Sequence, residues 1–257
     1  MQTSQEAPLT GVALITGGAR RIGAAVASAL HAAGMRVVIQ YHESSDAARQ
    51  QVEALNRLRP DTAVCEAADL QQVSSLTTLA RRSHAHWGRL DVLVNNASTF
   101  HRTPFGDITE AAFDDLIHTN FRGPLFLTQA CAEYFGDGAR VVNIIDTLAQ
   151  HARPEFVVYS AAKAALWSLT ETLAVELAPR VRVNAVAPGH IMWAESTPLS
   201  ETAQAEELTH VPLGRLGRPE EIAQAVRFLV SPDGAFFNGA VLQLDGGLRL
   251  TGGGRAV

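Results

Sequence analysis

The stretch VALITGGARRIGAAVASAL, residues 12–30, decides the fold. Its first five residues form a short apolar run typical of a buried strand, and residues 21–34 form a helical pattern that ends at Gly34. Between them Gly17 and Gly18 permit a tight turn, and Gly23 permits the helix to pack closely on the strand. Backbone N–H groups and a helix N-terminus can then meet a pyrophosphate. This position between a first strand and a first helix favours a dinucleotide-binding loop over an ordinary strand-to-helix turn.

The same order of strand and helix repeats about six times along the chain. We expect strands at 12–16, 36–41, 62–67, 90–96, 140–145, 182–188 and 240–247, and helices at 21–34, 46–58, 74–88, 109–134, 158–177 and 219–230. The strands are almost continuously apolar, as strands covered on both faces should be. The pattern predicts the α/β class: a single-domain, Rossmann-type, doubly wound parallel sheet of about seven strands with helices on both faces. No linker divides residues 1–257, and the segment around 190–215, which interrupts the rhythm, is predicted to be a substrate lid.

Composition excludes several classes of protein. The net charge of −5 and pI near 6.0 provide no general attraction to nucleic acid or to an anionic membrane. The two cysteines, Cys65 and Cys131, are far apart and suggest neither a disulfide framework nor a metal site. The N-terminus has no signal-peptide pattern, and no apolar run approaches the ~18 residues of a membrane helix. We therefore expect a cytoplasmic protein without a bound metal.

The end of the second predicted strand bears on cofactor choice. A site selective for NAD has an acid there that binds the ribose 2′-hydroxyl, but this strand ends with Gln40 and Tyr41. Glu43 favours NAD unless its side chain points to solvent. Several neighbours can donate hydrogen bonds to a 2′-phosphate instead: His42, Ser44, Ser45 and, from the glycine loop, Arg20. The balance favours NADPH, with a plain loop as the alternative reading.

Polar residues follow the third and fourth strands and interrupt one helix. Asp69 can hydrogen-bond an adenine or cap the next helix. Asn95 and Asn96 can tie strand ends together beside a cofactor, or only form a turn. Asn120 lies inside a predicted helix, where asparagine is mildly unfavourable. It either holds a water or a backbone group or lies on the surface.

Tyr159 and Lys163 are four residues apart, so they share one face of a predicted helix. A tyrosine exchanges protons poorly at neutral pH, and a nearby ammonium group is expected to lower its pKa. Thirteen residues before the tyrosine, Asp146 ends an apolar run. A buried carboxyl beside a phenol can have a raised pKa and share or donate a proton. Together with the glycine loop, this set predicts acid–base chemistry beside a dinucleotide.

From about residue 10 to 248 the sequence resembles the short-chain dehydrogenase/reductase family. The matching pieces are the loop at 16–23, NNA at 95–97, Asn120, the Tyr159/Lys163 pair, APG at 187–189 and LDGG at 244–247. The resemblance implies that Tyr159 donates the proton, that Lys163 binds the nicotinamide ribose and that Asn120 holds a relay water. It also implies a homotetramer built on two long helices.

Two departures from the family pattern stand at the expected site. Arg21 replaces the second glycine of the usual T-G-x-x-x-G-x-G loop, and Asp146 replaces the usual catalytic serine. Both resemble the pteridine reductases, as do YHES at 41–44, in which Glu43 replaces an arginine, and NNASTF at 95–100. In that subfamily's pattern Phe100 would stack on a pterin, and Arg21 would hydrogen-bond the pterin edge. Phe100 can also be a loop-anchoring core aromatic.

The resemblance therefore implies an NADPH-dependent pteridine reductase, acting on dihydrobiopterin, dihydromonapterin or dihydrofolate and on oxidised pterins as a further class. The implied catalytic residues are Asp146, Tyr159, Lys163 and Asn120. The implied cofactor residues are Gly17, Arg20, Arg21, Ile22, Gly23, Tyr41, His42, Ser44, Asp69, Leu70, Asn96, Ala97, Ser98, Tyr159, Lys163, Pro188 and Gly189, and the implied substrate residues are Arg21, Ser98, Phe100, Asp146, Tyr159, Met192 and Trp193. Met192 and Trp193 can instead only pack the lid. One alternative is a carbonyl reductase of the same fold, acting on 3-oxoacyl thioesters or sugars. The other is a catalytically silent dinucleotide-binding sensor.

Overall fold

The structure is a computed structural model, which describes residues 8–193 and 198–251. The strands are β1 Val12–Ile15, β2 Arg36–Tyr41, β3 Ala63–Ala67, β4 Leu90–Asn95, β5 Phe135–Ile144, β6 Val181–Pro188 and β7 Val241–Leu244. The α-helices are α1 Arg21–Ala32, α2 Ser45–Leu58, α3 Val73–Ala85, α4 Glu110–Ile117, α5 Gly123–Ala132, α6 Val157–Glu176, α7 Glu201–Thr209 and α8 Pro219–Val230.

The seven strands form one parallel sheet in the order β3-β2-β1-β4-β5-β6-β7. Neighbouring residues of a strand point to opposite faces, so Ile15 packs beneath α1 and α8 whereas Leu14 packs beneath α3 and α5. Each face therefore has its own apolar core, and the central strands are buried on both sides, whereas the edge strands β3 and β7 are mostly half-buried. The predicted fold class, a single α/β domain with a doubly wound parallel sheet, is confirmed.

The predicted helix at 109–134 is wrong in its middle. Helix α4 ends at Ile117, residues His118–Arg122 form a π-helical turn, and α5 starts at Gly123. Pro124 has no backbone N–H, so a regular α-helix cannot make its bond to the carbonyl of residue 120. A wider turn accommodates the break, as such turns often do near functional residues. Asn120 lies in this turn.

Two further differences affect the site. Strand β5 begins at Phe135 rather than at Arg140, and α7 occupies part of the segment interpreted as a lid. Residues 194–197 of that segment lie outside the described residues. No helix in the described ranges has the length and apolar character needed to cross a membrane. Residues 8–193 and 198–251 also contain no group of three candidate metal ligands.

Candidate active site

The carboxyl ends of the central parallel strands open into a cavity of about 660 Å³. This is the edge at which doubly wound sheets bind ligands. The cavity brings together twelve of the predicted site residues: Arg21, Ile22, Asn96, Ser98, Phe100, Asp146, Tyr159, Lys163, Pro188, Gly189, Met192 and Trp193. The other predicted residues do not line it: Gly17, Arg20, Gly23, Tyr41, His42, Ser44, Asp69, Leu70, Ala97 and Asn120.

The glycine loop after β1 forms a tight backbone cradle. A Cβ atom on Gly23 would lie 2.2 Å from the Gly17 carbonyl oxygen and 2.6 Å from Asn96 Nδ2, so no larger residue fits without a shift. Gly17 has a φ of +59°, which glycine adopts without strain. The cradle leads into the N-terminus of α1, as the predicted pyrophosphate site requires. These residues fit a dinucleotide.

Gln40 supports the cradle from below, a role that sequence reasoning missed. Its Oε1 accepts a hydrogen bond from the Gly17 N–H at 2.9 Å, and its Nε2 donates to the Ala68 carbonyl at 2.8 Å. Gln40 is 1% exposed, so both bonds lie in the core. A glutamine inside the otherwise apolar run of β2 was the available signal. Gln40 thus connects β1, β2 and β3 below the loop.

Asn96 and Thr16 connect the ends of β1 and β4. Asn96 Nδ2 donates to the Thr16 carbonyl at 2.8 Å, and the N–H groups of Asn96 and Ala97 donate to Thr16 Oγ1. The expectation that this asparagine ties strand ends together is met. The preceding residue, Asn95, connects β4 to β5 within the buried sheet, because its Nδ2 donates to Asn143 Oδ1 at 2.8 Å.

Arg21 occupies the family's glycine position with a φ of +52°. That conformation explains why other loops of this type have glycine there. Its guanidinium donates to the carbonyl oxygens of Met192 and Trp193, each at 3.2 Å. Arg21 therefore joins the glycine loop to the start of the predicted lid segment across the cavity mouth.

At the end of β2 the predicted 2′-phosphate donors lie beside the start of α2. Tyr41 is half-buried, and His42 and Glu43 are exposed. The exposure of Glu43 agrees with the condition under which the sequence favours NADPH. Ser44 precedes α2 without making a side-chain cap to it. Arg20 holds the corresponding position before α1 and is exposed.

Asp69 forms a local turn and does not cap α3. Its Oδ1 accepts a hydrogen bond from the Gln71 N–H at 2.9 Å, whereas the N-cap of α3 is Gln72. The N-cap alternative is therefore wrong. Leu70 is buried next to Asp69, and its carbonyl would be 3.0 Å from a Cβ atom on Gly123. The two residues bring the end of β3 close to α5.

Asn120 is fully buried, so its interpretation as a surface residue is wrong. Its Nδ2 donates to the carbonyls of Leu116 at 2.9 Å and Thr99 at 3.0 Å. Its Oδ1 accepts a hydrogen bond of 2.5 Å from Ser98 Oγ. From the π-helical turn, Asn120 thus holds the loop after β4 that carries Ser98 and Phe100.

Asp146 and Tyr159 are in direct contact. Tyr159 Oη lies 2.9 Å from Asp146 Oδ2. Asp146 Oδ1 accepts a 2.8 Å hydrogen bond from the Leu148 N–H and a longer one from Thr147 Oγ1. The two carboxylate oxygens are therefore distinct: one is held by the following turn, and the other faces the phenol.

Burial controls the protonation of this pair. It raises the pKa of Asp146 above its ordinary value, although the hydrogen bonds from Leu148 and Tyr159 oppose the shift. Burial, followed by the charge of Asp146, raises the pKa of Tyr159 well above its usual range. The expected rise for Asp146 is confirmed, and the dyad favours its protonated forms.

Lys163 is buried directly beside the dyad. Its Nζ donates to the Ile144 carbonyl at 3.0 Å, and burial lowers its pKa to about 8, against the opposing charge of Asp146. Nζ lies 5.6 Å from the centre of the Tyr159 ring. The expectation that Lys163 lowers the tyrosine pKa is wrong for this structure, because burial and Asp146 dominate that group.

Phe100 is anchored by aromatic neighbours, as one of its two predicted roles requires, and its stacking on a pterin stays a prediction. It stacks on Phe156 with ring centres 4.8 Å apart, and it meets Tyr159 in an edge-on arrangement at 4.8 Å. The ring is thus anchored among aromatic neighbours and still lines the cavity. Phe156, which precedes α6, was not predicted from the sequence.

Arg153 and Glu207 were missed by the sequence reasoning, which gave no separate role to His190; Arg153 and His190 line the cavity, and Glu207 lies behind them. Glu207 on α7 pairs with Arg153, and its Oε2 lies 3.3 Å from His190 Nε2. Burial lowers the pKa of His190, with Glu207 opposing the shift. His190 directly follows the predicted Pro188–Gly189 pair, which was the only available signal in the sequence.

Comparison with known proteins agrees with this geometry. A family sequence model described as enoyl-(acyl carrier protein) reductase matches residues 17–249. Pteridine reductase 1 of Leishmania tarentolae is 36% identical, with 98% of this chain and 99% of that protein covered. A "probable tetrahydroxynaphthalene reductase" of Zymoseptoria tritici is 34% identical, with 91% of this chain and 93% of that protein covered.

A short-chain dehydrogenase of Burkholderia cenocepacia, solved in complex with NADP, superposes with a TM-score of 0.87. It is 33% identical, and the match covers 92% of this chain and 96% of that one. The chain belongs to the short-chain dehydrogenase/reductase family. Within that family it is an NAD(P)-dependent oxidoreductase.

Proposed function

We propose that this protein is an NADPH-dependent pteridine reductase. The observation that carries the proposal is the 2.9 Å contact between Tyr159 Oη and Asp146 Oδ2 at the cavity wall. Reduction of a dihydropterin C=N bond adds a hydride to carbon and a proton to the adjacent nitrogen. A carboxyl with a raised pKa beside a buried phenol supplies that proton.

The hydrogen bonds around Asp146 direct the proton. Because Oδ1 already accepts from the Leu148 N–H and Thr147 Oγ1, the acidic hydrogen of a neutral Asp146 belongs on Oδ2. From Oδ2 it is donated to Tyr159 Oη, which leaves the phenol hydrogen available to the substrate nitrogen. Proton transfer from Tyr159 to substrate and from Asp146 to Tyr159 leaves the tyrosine neutral and the carboxylate ionised.

NADPH, when bound, supplies the hydride. Gly17, Gly23 and the N-terminus of α1 would hold its pyrophosphate, and Lys163 would bind the nicotinamide ribose. The NADP in the Burkholderia cenocepacia relative and the exposure of Glu43 support NADPH over NADH. The full set of predicted cofactor residues belongs to this proposal, although their contacts with the cofactor stay predictions.

Phe100, Ser98 and Arg21 form the proposed pterin-binding wall. A flat, polar-edged ring gains about 0.5–1.5 kcal/mol from aromatic contact beyond the area it buries. Met192 and Trp193 line the same cavity, and Arg21 holds their carbonyls. We propose that the segment around 190–215 covers the substrate, apart from residues 194–197, which lie outside the described residues.

Carbonyl reduction is the second candidate, because the Zymoseptoria tritici relative is described as a probable tetrahydroxynaphthalene reductase and not as a pteridine reductase. An ionised Asp146 would repel the alkoxide that forms from a ketone. A protonated Asp146 lacks that charge and would not repel the alkoxide. Repulsion by Asp146 therefore does not decide between the two functions, and a comparison of substrates does.

A substrate panel tests the proposal. We expect NADPH oxidation with at least one of dihydrobiopterin, dihydromonapterin and dihydrofolate, at a higher kcat/KM than with an acetoacetyl thioester. Absorbance at the NADPH band gives both rates on the same enzyme preparation. Faster turnover of the thioester would establish the carbonyl reductase instead, and NADPH binding without any turnover would establish the silent sensor.

We also propose a homotetramer, as the family resemblance implies. Phe113 on α4 and Val175 on α6 are 47% and 81% exposed, which leaves apolar groups on the outer faces of both helices. A native mass about four times the chain mass of 27.5 kDa is expected by light scattering. A monomeric mass at micromolar concentration would refute this assembly.

A further inference from the structure

A second cavity of about 70 Å³ adjoins the large one and shares Asp146 and His190 with its wall. We call it the side cavity; its other polar lining residues are Thr147, His151, Arg153 and Glu207. Because a water molecule occupies about 30 Å³ in the liquid, the side cavity has room for about two.

The lining of the side cavity suits water. His151 Nε2 is buried and has no hydrogen-bond partner among the described residues. Buried polar atoms without a protein partner are usually satisfied by ordered water. Glu207 and His190 provide further polar groups, 3.3 Å apart. The space is both polar and large enough for a short water bridge.

The proposed reaction leaves Asp146 ionised after every turnover, and its phenol neighbour is only 4% exposed. We propose that His190 returns the proton to Asp146 through water in the side cavity, an inference that rests on the proposed reductase function. The imidazolium of His190 loses a proton to the bridging water, the water protonates the Asp146 carboxylate, and the imidazole regains a proton from solvent. No electrons move in this step.

The charges around His190 suit a relay. Glu207 faces it from α7, Arg153 from the segment before α6 and Asp146 from the end of β5. On its other side His190 borders a cavity of about 160 Å³ lined by further charged residues, Arg215, Glu221 and Asp245. Burial lowers the pKa of His190 and Arg153 adds to the shift, whereas Glu207 and Asp146 oppose it. These opposing influences act on a side chain that can both accept and donate a proton.

The test compares the first turnover with the following ones. His190→Gln keeps a hydrogen-bonding group beside Glu207 but cannot carry a proton. In this variant we expect a first turnover close to the parent rate, because the relay acts only after a proton has left Asp146, and a steady-state rate about tenfold lower or more. Added imidazole should restore the steady-state rate of His190→Ala. His86→Gln is the matched control. His86 directly follows α3, its Nε2 lies 2.7 Å from Glu66 Oε1, and it lines neither cavity.

An unchanged steady-state rate in His190→Gln, or no response of His190→Ala to imidazole, would overturn the relay. A parent enzyme inactive on every pterin would refute the proposed function instead. In that case the NMR titration of His190 still tests the proposed coupling between His190 and Asp146. Replacing Asp146 with asparagine should lower the pKa of His190, because a negative charge is lost, and an unmoved titration would exclude the coupling.

Discussion

Asp146→Asn should reduce kcat for pterin reduction by about 100-fold or more, the usual effect of losing a positioned general acid. Asparagine has nearly the same shape and retains an oxygen for the Leu148 N–H, and its amide can hydrogen-bond to Tyr159, but it has no acidic proton to transfer. Stopped-flow hydride transfer with the preferred pterin measures the loss. NADPH affinity, followed by fluorescence, should remain within about twofold, because Asp146 contributes a proton and is not among the predicted cofactor residues.

The pH profile gives this prediction a second readout. Asp146 is active when protonated, and burial raises its pKa, so the rate is highest below that raised pKa and falls as the pH rises through it. The asparagine variant should lack this limb. If its residual activity kept the same alkaline fall, another group would be the acid.

Replacing Asp146 with asparagine should lower the activity but raise the stability of the folded protein at alkaline pH. The folded-state pKa of Asp146 lies above its unfolded value, so its contribution to stability is fully present below the unfolded pKa and is lost as the pH rises through the folded one. Above that raised pKa the folded protein holds an ionised carboxyl at a site whose burial disfavours the charge, and asparagine removes that charge. Asp146→Asn should therefore melt at a higher temperature than the parent at pH 8, with a smaller difference at pH 5.

The control separates the acid from the space it fills. Asp146→Ser restores the residue that the family usually has on this strand. It should also lose pterin reduction, while NADPH binding survives. Full pterin turnover in Asp146→Ser would show that the carboxyl has no part in proton transfer.

Local sequence predicted the parts of the site that depend on spacing. Gly17, Gly23 and the Tyr159/Lys163 pair each depend on neighbours a few residues away, so a pattern of letters was enough. Asn120 was visible as an asparagine in a helix, but the π-helical turn was not. That turn directly precedes Gly123, which lies close to the Leu70 carbonyl, and Pro124, and a helical periodicity does not reveal it.

The sequence could not predict that charged residues come together at the wall of the side cavity. Arg153, His190 and Glu207 come from three separate segments, and only the fold brings them together. Helix α7 has no buried residue, so it lacks the apolar stripe that makes a helix recognisable in a sequence. The protonation of Tyr159 was misjudged for a related reason: spacing placed Lys163 on the right face, but burial decides the pKa.

Gly23→Ala should weaken NADPH binding by about tenfold or more and lower the melting temperature. Its Cβ would lie 2.2 Å from the Gly17 carbonyl and 2.6 Å from Asn96 Nδ2, so the glycine loop and the β4 end would have to separate. Overpacking of this kind costs about 1–3 kcal/mol, and 1.4 kcal/mol is already a tenfold change in affinity. Fluorescence titration with NADPH and a thermal melt measure the two effects.

Gly136→Ala is the matched control, because no atom lies within 4 Å of the Cβ position there. It should bind NADPH like the parent and change stability by no more than about 0.5 kcal/mol. Parental NADPH affinity in a folded Gly23→Ala protein would mean that the loop can widen without loss. Binding of the dinucleotide would then depend on contacts outside the cradle, and the tight shape of the turn would reflect packing of α1 on β1 alone.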